Sequence, residues 1–514
     1  MEITAKRILA IAIILGIALR MSTFGYAGFL EPDNYVYYTT IQQTIANHMH
    51  ITSLLSGFPV AQPFTERPLL ILLPAYLSLV FGNLYLIMKL LPVVFGALEI
   101  FMAYKIGRKL GMATGIISAF AVAILVASIT MNLSGEWRGD SFVPLFIECI
   151  IYLMVSERRG ELQRLPAYSG MAVFLALSIS MWRGGIYAFA VVGFALFADL
   201  MRKWLGKSRL YPIFLLGALG ALAIAYGAAS TFYPAVFPQI FVSTNIERAI
   251  AEQGAASLGF LSWAYGAWLP LAMIGLAIFS YKRMDSPEFS PMFSFIALGL
   301  FMQAMETRWM SLLAIPCAIF GAYGIAESLR FAGSYLRLPI SPDVAVAMLL
   351  LGTLFFTMLA LQSYPYADGI NPQFMSALSW IRNNTPSNST FVTLWPDGSL
   401  VEGWSNRITH SDSMQAGIDL GFMRWLWEPA GNLTWLYNVS PDYLLVRKYW
   451  VYGFGNESHP DMYNELLGIR IQANITQSPP YPNTNFYALE NGDVPFPMVF
   501  ENNNTIIYRL GHGK

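Results

Sequence analysis

The sequence predicts a polytopic α-helical membrane protein with about 11 transmembrane helices, followed by an external domain of mixed α/β structure. The chain of 514 residues is 55% hydrophobic and 12% charged, which is about half the charge of a typical soluble protein. Long apolar runs separated by short basic loops fill residues 1–363. Residues 364–514 contain no such run and hold 13 acidic residues against 8 Lys or Arg. We therefore predict two domains, a transmembrane body (1–363) and an external domain (364–514).

Composition also excludes several classes of function. Lys+Arg and Asp+Glu are equal at 31 each, so the chain has no net positive charge that would attract nucleic acid. We expect membrane lipids as its surroundings instead. The two cysteines, Cys149 and Cys317, both lie in apolar runs. This placement excludes a disulfide framework and a cysteine-based metal site.

The number of spans follows from the length of the apolar runs, because a helix needs about 20 residues to cross a bilayer. Eight good candidates and three shorter ones are present; they are 8–27, 85–106, 112–131, 185–201, 210–229, 262–280, 309–327 and 344–363, with 141–156, 166–181 and 290–306. The run 68–82 is shorter and contains a proline. It predicts an interfacial or re-entrant segment.

The orientation follows from the basic residues in the loops. With a cytoplasmic N-terminus, the inside loops hold 15 Lys or Arg and the outside loops hold 5, as the positive-inside rule requires. An odd number of spans then places the C-terminal domain outside. Seven of the eight Asn-X-Ser/Thr sequons lie in that domain. Chance in Asn-rich loops explains this as readily as an external location does.

Three loops on the predicted outer side carry acidic residues. They are Glu31–Tyr38 (EPDNYVYY), Ser134–Ser141 (SGEWRGDS) and Glu247–Gln253 (ERAIAEQ). Carboxylates from different loops that converge on one point would bind a hard divalent cation such as Mg²⁺ or Mn²⁺. Each acid taken alone is more readily explained as a solvated loop carboxylate.

Two further positions have both a functional and a structural interpretation. Arg308 begins a span at the outer border, where it would either clamp a phosphate or carboxylate, or pair with Glu306 at the membrane surface. The segment 390–394 predicts a short strand, and Pro-Asp-Gly after it predicts a turn. That turn would display Trp395 and Asp397 to a small hydroxyl side chain, unless the tryptophan belongs to the core.

Together and in this order, these features resemble the catalytic subunit of the archaeal oligosaccharyltransferases, the dolichyl-phosphooligosaccharide–protein glycotransferases. Asp33 is similar to the family's aspartate in the first external loop. In SGEWRGDSF, Asp140 matches the later acid of a D-x-D-type motif, Arg138 occupies the earlier acidic position, and Glu136 is a candidate substitute. Glu252 in AIAE matches the glutamate of the family's Ser/Thr-x-x-Glu motif. LWPDG resembles the Trp-Trp-Asp-Tyr-Gly motif with its acid displaced by one position.

The resemblance implies a GT-C-type glycosyltransferase architecture and transfer of an oligosaccharide from a dolichyl phosphate or pyrophosphate to a sequon asparagine in an acceptor protein. It also implies a single-subunit enzyme in the plasma membrane that uses Mn²⁺ or Mg²⁺ as its cofactor. The site residues that it implies are Asp33 and Glu252 for catalysis; Asp33, Asp140 and Glu136 for the metal; and Trp395, Asp397, Arg308 and Arg138 for the substrates.

Two alternatives remain open. Other polyprenyl-phosphate-dependent glycosyltransferases share a multi-span body with an acidic first external loop, but they act on Ser/Thr or on a glycolipid and do not need the LWPDG segment. A transporter or channel with an external domain would carry paired ionisable residues near mid-membrane and an internal repeat. No inverted repeat is visible, which favours the glycosyltransferases.

Overall fold

A computed structural model of the chain describes residues 2–26, 28–51, 54–55, 62–63, 68–205, 257–305, 309–335, 342–363, 371–411, 420–448 and 483–510. The described residues form two compact units. One contains those within 1–25, 89–243 and 252–364, and the other contains those within 26–88 and 365–514. The predicted boundary at residue 364 stays a prediction, and the described residues within 26–88 cluster with the C-terminal part.

The first unit is helical. Its helices are α1 (Glu2–Arg20), α4 (Leu84–Leu110, mostly in this unit), α5 (Met112–Ile124), α6 (Val126–Ile129), α7 (Gly139–Arg158), α8 (Arg164–Met181), α9 (Tyr187–Leu205), α10 (Leu258–Tyr265), α11 (Trp268–Arg283), α12 (Phe289–Met305), α13 (Met310–Tyr335) and α14 (Pro342–Ser363). Buried aliphatic and aromatic side chains of these helices form one continuous core.

The described helices agree with a membrane-spanning body. Six of them are long and apolar enough to cross a bilayer, or up to eight spans if each of two bent helix pairs is counted as one. The candidate span 210–229 lies outside the described residues. The run 68–82 forms helix α3 (Pro68–Phe81), which has 14 residues and is short for a span.

Two candidate spans that the sequence predicts as continuous are broken. The run 112–131 bends by 68° where Leu125 takes an extended conformation. The carbonyl of Ile124 then lacks a helical donor and accepts a hydrogen bond from the Thr357 hydroxyl of α14. The run 262–280 bends by 84° at Gly266, whose φ of +52° suits a residue without Cβ.

The second unit contains α2 (Asp33–Ala46), the two-residue hairpin strands β1 (Leu54–Leu55) and β2 (Gln62–Pro63), α3 and the C-terminal elements. The latter are α15 (Pro372–Asn384), β3 (Thr390–Val392), α16 (Trp395–Leu400), a π-helix (Val401–Ser405), β4 (Ile408–Thr409), α17 (Leu420–Leu426), α18 (Thr434–Val439), β5 (Tyr443–Arg447), α19 (Asn485–Asn491), β6 (Met498–Glu501) and β7 (Thr505–Arg509).

A mixed five-stranded sheet organises this unit, with the strand order β4-β3-β5-β7-β6. Strand β3 pairs in parallel with β4 and β5, whereas β7 pairs antiparallel with β5 and β6. All five residues of β5 are buried, as expected for a central strand covered on both faces. Its side chains join those of α17 and α19 in a second core. The prediction of mixed α/β structure is confirmed for the described part.

Candidate functional site

The second acidic loop is held firmly at the end of α1. Ser134 donates its backbone N–H to the carbonyl of Arg20 at 2.9 Å, and the Thr23 hydroxyl donates to the carbonyl of Ser134 at 2.8 Å. Gly135 then takes a φ of +90°, which turns the chain toward α7. The loop is therefore a fixed part of the helical unit.

This loop brings three of the predicted site residues together. Arg138 Nη2 lies 3.0 Å from Asp140 Oδ2, and Arg138 Nη1 lies 3.7 Å from Glu136 Oε1. All three residues are buried, with at most 9% of their surface exposed. Asp140 is in the first turn of α7, where the helix dipole favours a negative charge. The guanidinium thus compensates two carboxylates in a largely dry environment.

Carboxylate oxygens of this kind are suitable ligands for a hard divalent cation. Glu136 and Asp140 offer such oxygens, but Arg138 already neutralises them, so a cation here would share them with the guanidinium. Within the described ranges, no three acidic, histidine or cysteine side chains converge as metal ligands would.

A close backbone contact fixes the start of α7. A Cβ on Gly139 would lie 2.7 Å from Trp182 Cβ and 2.8 Å from the carbonyl of Met181. Only glycine fits there without a shift of the neighbouring chain. The ring of Trp182 in turn lies 5.0 Å from that of Trp309. This support for Asp140 was not predicted from the sequence. The only signal for it there is the glycine directly before the acid, in Arg138-Gly139-Asp140.

The first acidic segment lies in the second unit, where Asp33 occupies the first turn of α2. Asp33 is half-buried, whereas Tyr35 two residues later is 1% exposed. The Tyr35 hydroxyl accepts a hydrogen bond from the backbone N–H of Phe29 at 3.0 Å. Burial raises the pKa of Tyr35 above its ordinary value. Tyr35 therefore anchors the helix that carries Asp33.

Helix α2 packs against the segment that follows LWPDG. A Cβ on Gly403 would lie 2.3 Å from Tyr35 Cβ and 2.5 Å from the Tyr35 carbonyl. The rings of Tyr35 and Trp404 are 6.5 Å apart, and the Thr39 hydroxyl lies 3.4 Å from the carbonyl of Glu402. Two segments separated by more than 350 residues in the sequence are thus in direct contact.

The LWPDG segment differs from its predicted conformation. The predicted strand is present as β3, but Trp395–Leu400 is a short helix, not a turn, with Pro396 in its first turn. Proline is favoured at the start of a helix because its missing N–H has no partner there. Asp397 is 2% exposed, and its Oδ1 lies 3.5 Å from Nη1 of Arg447. The acid is therefore held inside the unit and not displayed.

Two partners in this region were not predicted from the sequence. Arg447, at the end of β5, is 4% exposed and lies over the ring of Phe374 at 4.9 Å. Glu402 is buried and accepts a hydrogen bond from the Thr409 hydroxyl at 2.7 Å. The one sequence signal for Glu402 was its position directly before Gly403, the glycine that contacts α2.

Glu252 and Arg308 lie outside the described residues, as does the side chain of Trp395. Asp33 belongs to one unit and Asp140 to the other.

One sequon is structural. Asn132 is completely buried, and its amide donates to Glu99 Oε2 at 2.8 Å. By contrast, the described sequon asparagines of the second unit are exposed; they are Asn383, Asn388, Asn432, Asn438 and Asn503. Sequence alone did not separate these two groups.

No family model matches the chain. A curated relative, dolichyl-phosphooligosaccharide-protein glycotransferase 2 of Pyrococcus horikoshii, is 22% identical over 561 residues, which cover 88% of this chain and 72% of the relative. Dolichyl-phosphooligosaccharide-protein glycotransferase 1 of Pyrococcus furiosus is 22% identical over 498 residues, or 77% of this chain. The chain spans about half (51%) of that second relative.

Solved structures share the fold. The archaeal oligosaccharyltransferase AglB from Archaeoglobus fulgidus, in complex with an inhibitory peptide and a dolichol-phosphate, matches with a TM-score of 0.71 at 15% identity, over 92% of this chain and 72% of that one. The same enzyme tethered to an acceptor peptide with an NVT sequon matches with a TM-score of 0.68 at 17% identity, over 91% and 72%. Its complex with Zn and sulfate gives 0.65 at 16% identity, over 90% and 70%.

A more distant structure is that of ArnT from Cupriavidus metallidurans bound to undecaprenyl phosphate. It matches with a TM-score of 0.51 at 12% identity, over 98% of this chain and 97% of that one. These neighbours are GT-C-fold membrane glycosyltransferases, and the chain is a multi-pass membrane protein of that fold. The resemblance to archaeal oligosaccharyltransferases inferred from the motifs is confirmed.

Proposed function

We propose that this protein transfers an oligosaccharide from a dolichyl phosphate or pyrophosphate carrier to the side-chain amide of a sequon asparagine. One observation carries the proposal: α2, which begins at Asp33, packs through Tyr35 on Gly403 behind the LWPDG segment. A glycosyltransferase that does not recognise a sequon has no need of that segment. Helix α16, which contains the last four residues of that segment, also contacts α2, and this favours an enzyme that uses both the acidic helix and the segment.

The acceptor amide needs activation, because its nitrogen lone pair is delocalised into the carbonyl. We propose that Asp33 and Glu252 accept hydrogen bonds from the two amide hydrogens and so weaken the delocalisation. A carboxylate that binds the reacting nitrogen in this way stabilises the transition state more than the ground state. Asp33 is half-buried at a helix N-terminus, where the helix dipole favours a negative charge.

We propose that Asp33, Asp140 and Glu136 hold Mn²⁺ or Mg²⁺, which supplies positive charge against the departing phosphate. The buried Arg138 is a second cation next to the same two carboxylates of its loop. Arg138 would balance the charge of Asp140 and Glu136 and would orient their oxygens. Arg308 would contribute a bidentate contact to the phosphate on the donor side.

We propose that Trp395 contacts the hydroxyl residue of the sequon and that the buried Asp397 acts with it by holding this segment in place. The ion pair of Asp397 with Arg447 holds the first turn of α16 in place, and Trp395 begins that turn. This arrangement would present a fixed wall to the acceptor. The loop that contains Glu252 would order when the acceptor binds.

The topology proposed with this activity has eleven spans, a cytoplasmic N-terminus and an extracellular C-terminal domain in the plasma membrane. The excess of basic residues in the inside loops supports it. We further propose that the enzyme works as a single subunit, because donor, acceptor and metal functions are all assigned within one chain.

The test uses the purified full chain with its host's lipid extract, Mn²⁺ and a fluorescent Asn-X-Thr peptide. We expect a mobility shift that is absent with Gln-X-Thr and abolished by EDTA. Asp33→Ala, Asp140→Ala and Glu252→Ala should each abolish the shift. Glu161→Gln is the matched control, because this exposed acid pairs with Lys109 on the predicted inner side and should retain activity.

A second glycosyltransferase function remains the alternative, since ArnT shares the fold. If lipid-linked glycan is present and the folded chain modifies neither peptide, the acceptor is a different one. A shift of both peptides would also contradict N-glycosylation, because glutamine would then be accepted as well as asparagine.

A further inference from the structure

A cavity of about 350 Å³ lies in the first unit, where the two broken spans face α14. It is lined at one break by Leu125 and Val126, at the other by residues 263–268, and along α14 by Met348, Gly352 and Phe356. An engineered apolar cavity of ~150 Å³ is large enough to bind benzene. This cavity is more than twice that size, so it has room for a segment of a long, flexible molecule.

The polar groups around the cavity already have partners within the chain. Trp268 Nε1 donates to Thr353 Oγ1 at 3.0 Å, and the Thr357 hydroxyl donates to the carbonyl of Ile124. The Tyr265 hydroxyl lies 2.6 Å from Gln303 Oε1. A ligand therefore needs no hydrogen-bonding group of its own. The chemistry that fits is a hydrocarbon chain, which leaves these bonds intact.

The cavity opens toward the hydrocarbon of the membrane. Met348 and Phe356 at its edge are 63% and 41% exposed. Gly352 and Thr353 lie at the middle of the span Asp343–Gln362, which places the opening near the bilayer centre. Head groups remain at the bilayer surface, so only the ends of lipid chains reach this depth.

We propose that the cavity binds the end of one hydrocarbon chain of a bilayer lipid. Bilayer lipids surround the opening at far higher concentration than any lipid carrier, and mass action favours them at a site without a charged group. The bound chain would stabilise both bends by filling the space between them. This inference does not depend on the proposed transferase activity.

The test is chain-end photolabelling of the full-length protein in nanodiscs. The probe is a phospholipid with a diazirine at the end of one acyl chain. We expect labelled peptides from residues 263–268 and 348–357. Gly352→Leu should lose this labelling, because a Cβ at Gly352 meets nothing within 4 Å and the added side chain would occupy the opening.

Gly193→Leu is the matched control, since Gly193 on α9 also has open space but does not line the cavity. It should label like the parent. Leu349→Phe, which enlarges a lining residue, is a second blocking variant if Gly352→Leu fails to fold. Unchanged labelling in a folded blocking variant overturns the proposal. Displacement of the label by equimolar dolichyl phosphate also overturns it, because the occupant would then be the carrier.

Discussion

The two acidic segments that the structure describes hold their carboxylates in different ways. In the loop before α7, Glu136 and Asp140 are buried and their charge is balanced by Arg138. At the start of α2, Asp33 is half-buried, and Tyr35 and Gly403 provide the packing. In the loop before α7, the stability of the fold and the proposed chemistry depend on the same charged residues. In α2, the packing depends on Tyr35 and Gly403, and the proposed chemistry depends on Asp33.

The largest effect is expected in the loop. Arg138→Ala leaves two buried carboxylates without their cation and should destabilise the protein by about 3–5 kcal/mol. Thermal unfolding of the detergent-solubilised chain, with and without Mn²⁺, measures this. Partial rescue by Mn²⁺ would identify Glu136 and Asp140 as metal ligands.

The matched control for Arg138→Ala removes the acids as well. Arg138→Met combined with Glu136→Gln and Asp140→Asn should recover most of the lost stability, because no uncompensated charge remains. If Arg138→Ala unfolds at the temperature of the parent, the ion pairs contribute nothing and the contrast between the two segments fails.

The next effect concerns the packing of α2. Gly403→Ala places a methyl group 2.3 Å from Tyr35 Cβ, so α2 or the π-helix must move, at a cost of about 1–3 kcal/mol. The same thermal assay detects this loss, and transfer activity should fall with it. Gly193→Ala, where the methyl group meets open space, should not destabilise the chain. Wild-type stability of Gly403→Ala would show that the segment does not support α2.

A third effect tests the base of the loop. Asn132→Ala removes the amide that donates to Glu99 and should cost about 1–3 kcal/mol, since a buried acceptor loses its partner. The exposed Asn383→Ala should change stability by at most about 0.5 kcal/mol. Glycopeptide mapping of the native protein should find Asn132 unmodified. A glycan on Asn132 would contradict the buried position.

The smallest effect is a pH dependence in α2. Burial raises the pKa of Tyr35, so its stabilising contribution is complete below the ordinary tyrosine value of about 10 and is lost as pH rises through the raised value. Tyr35→Phe should remove this alkaline loss and cost about 1 kcal/mol at neutral pH, because the Phe29 N–H loses its acceptor.

Unfolding midpoints measured from neutral to alkaline pH test the Tyr35 prediction. Tyr437→Phe, at a site that is 59% exposed, serves as the control and should keep the alkaline loss of the parent. An identical pH profile for parent and Tyr35→Phe would assign the dependence to another group.

The sequence predicts those features whose causes are local. Apolar length predicts the spans, and Gly266 is a visible reason for one of the two bends. The bend at Leu125 has no such signal, because the hydroxyl that satisfies the freed carbonyl of Ile124 comes from Thr357, far along the chain. A hydropathy pattern cannot predict a hydrogen-bond donor that lies so far away in the sequence.

The same limit applies to the candidate site. Glu136, Arg138 and Asp140 are close in sequence, so their ion pairs could be anticipated. Asp397 and Arg447 are not, and their pairing depends on how β3 and β5 associate in the sheet. The LWPDG segment was expected to be a turn because Pro-Asp-Gly is common in turns. Its helical form depends on the chain continuing into the π-helix.

The buried Asn132 has a consequence for the order of events during biogenesis. Before the helices associate, Asn132-Leu133-Ser134 is an ordinary sequon, open to any enzyme that modifies sequons. A glycan attached at that stage has no space in the folded unit, where the Asn132 amide is fully enclosed and bound to Glu99. Each new chain must therefore close this segment faster than it can be glycosylated, and a copy that folds too slowly would be trapped by the same reaction that we propose for this protein.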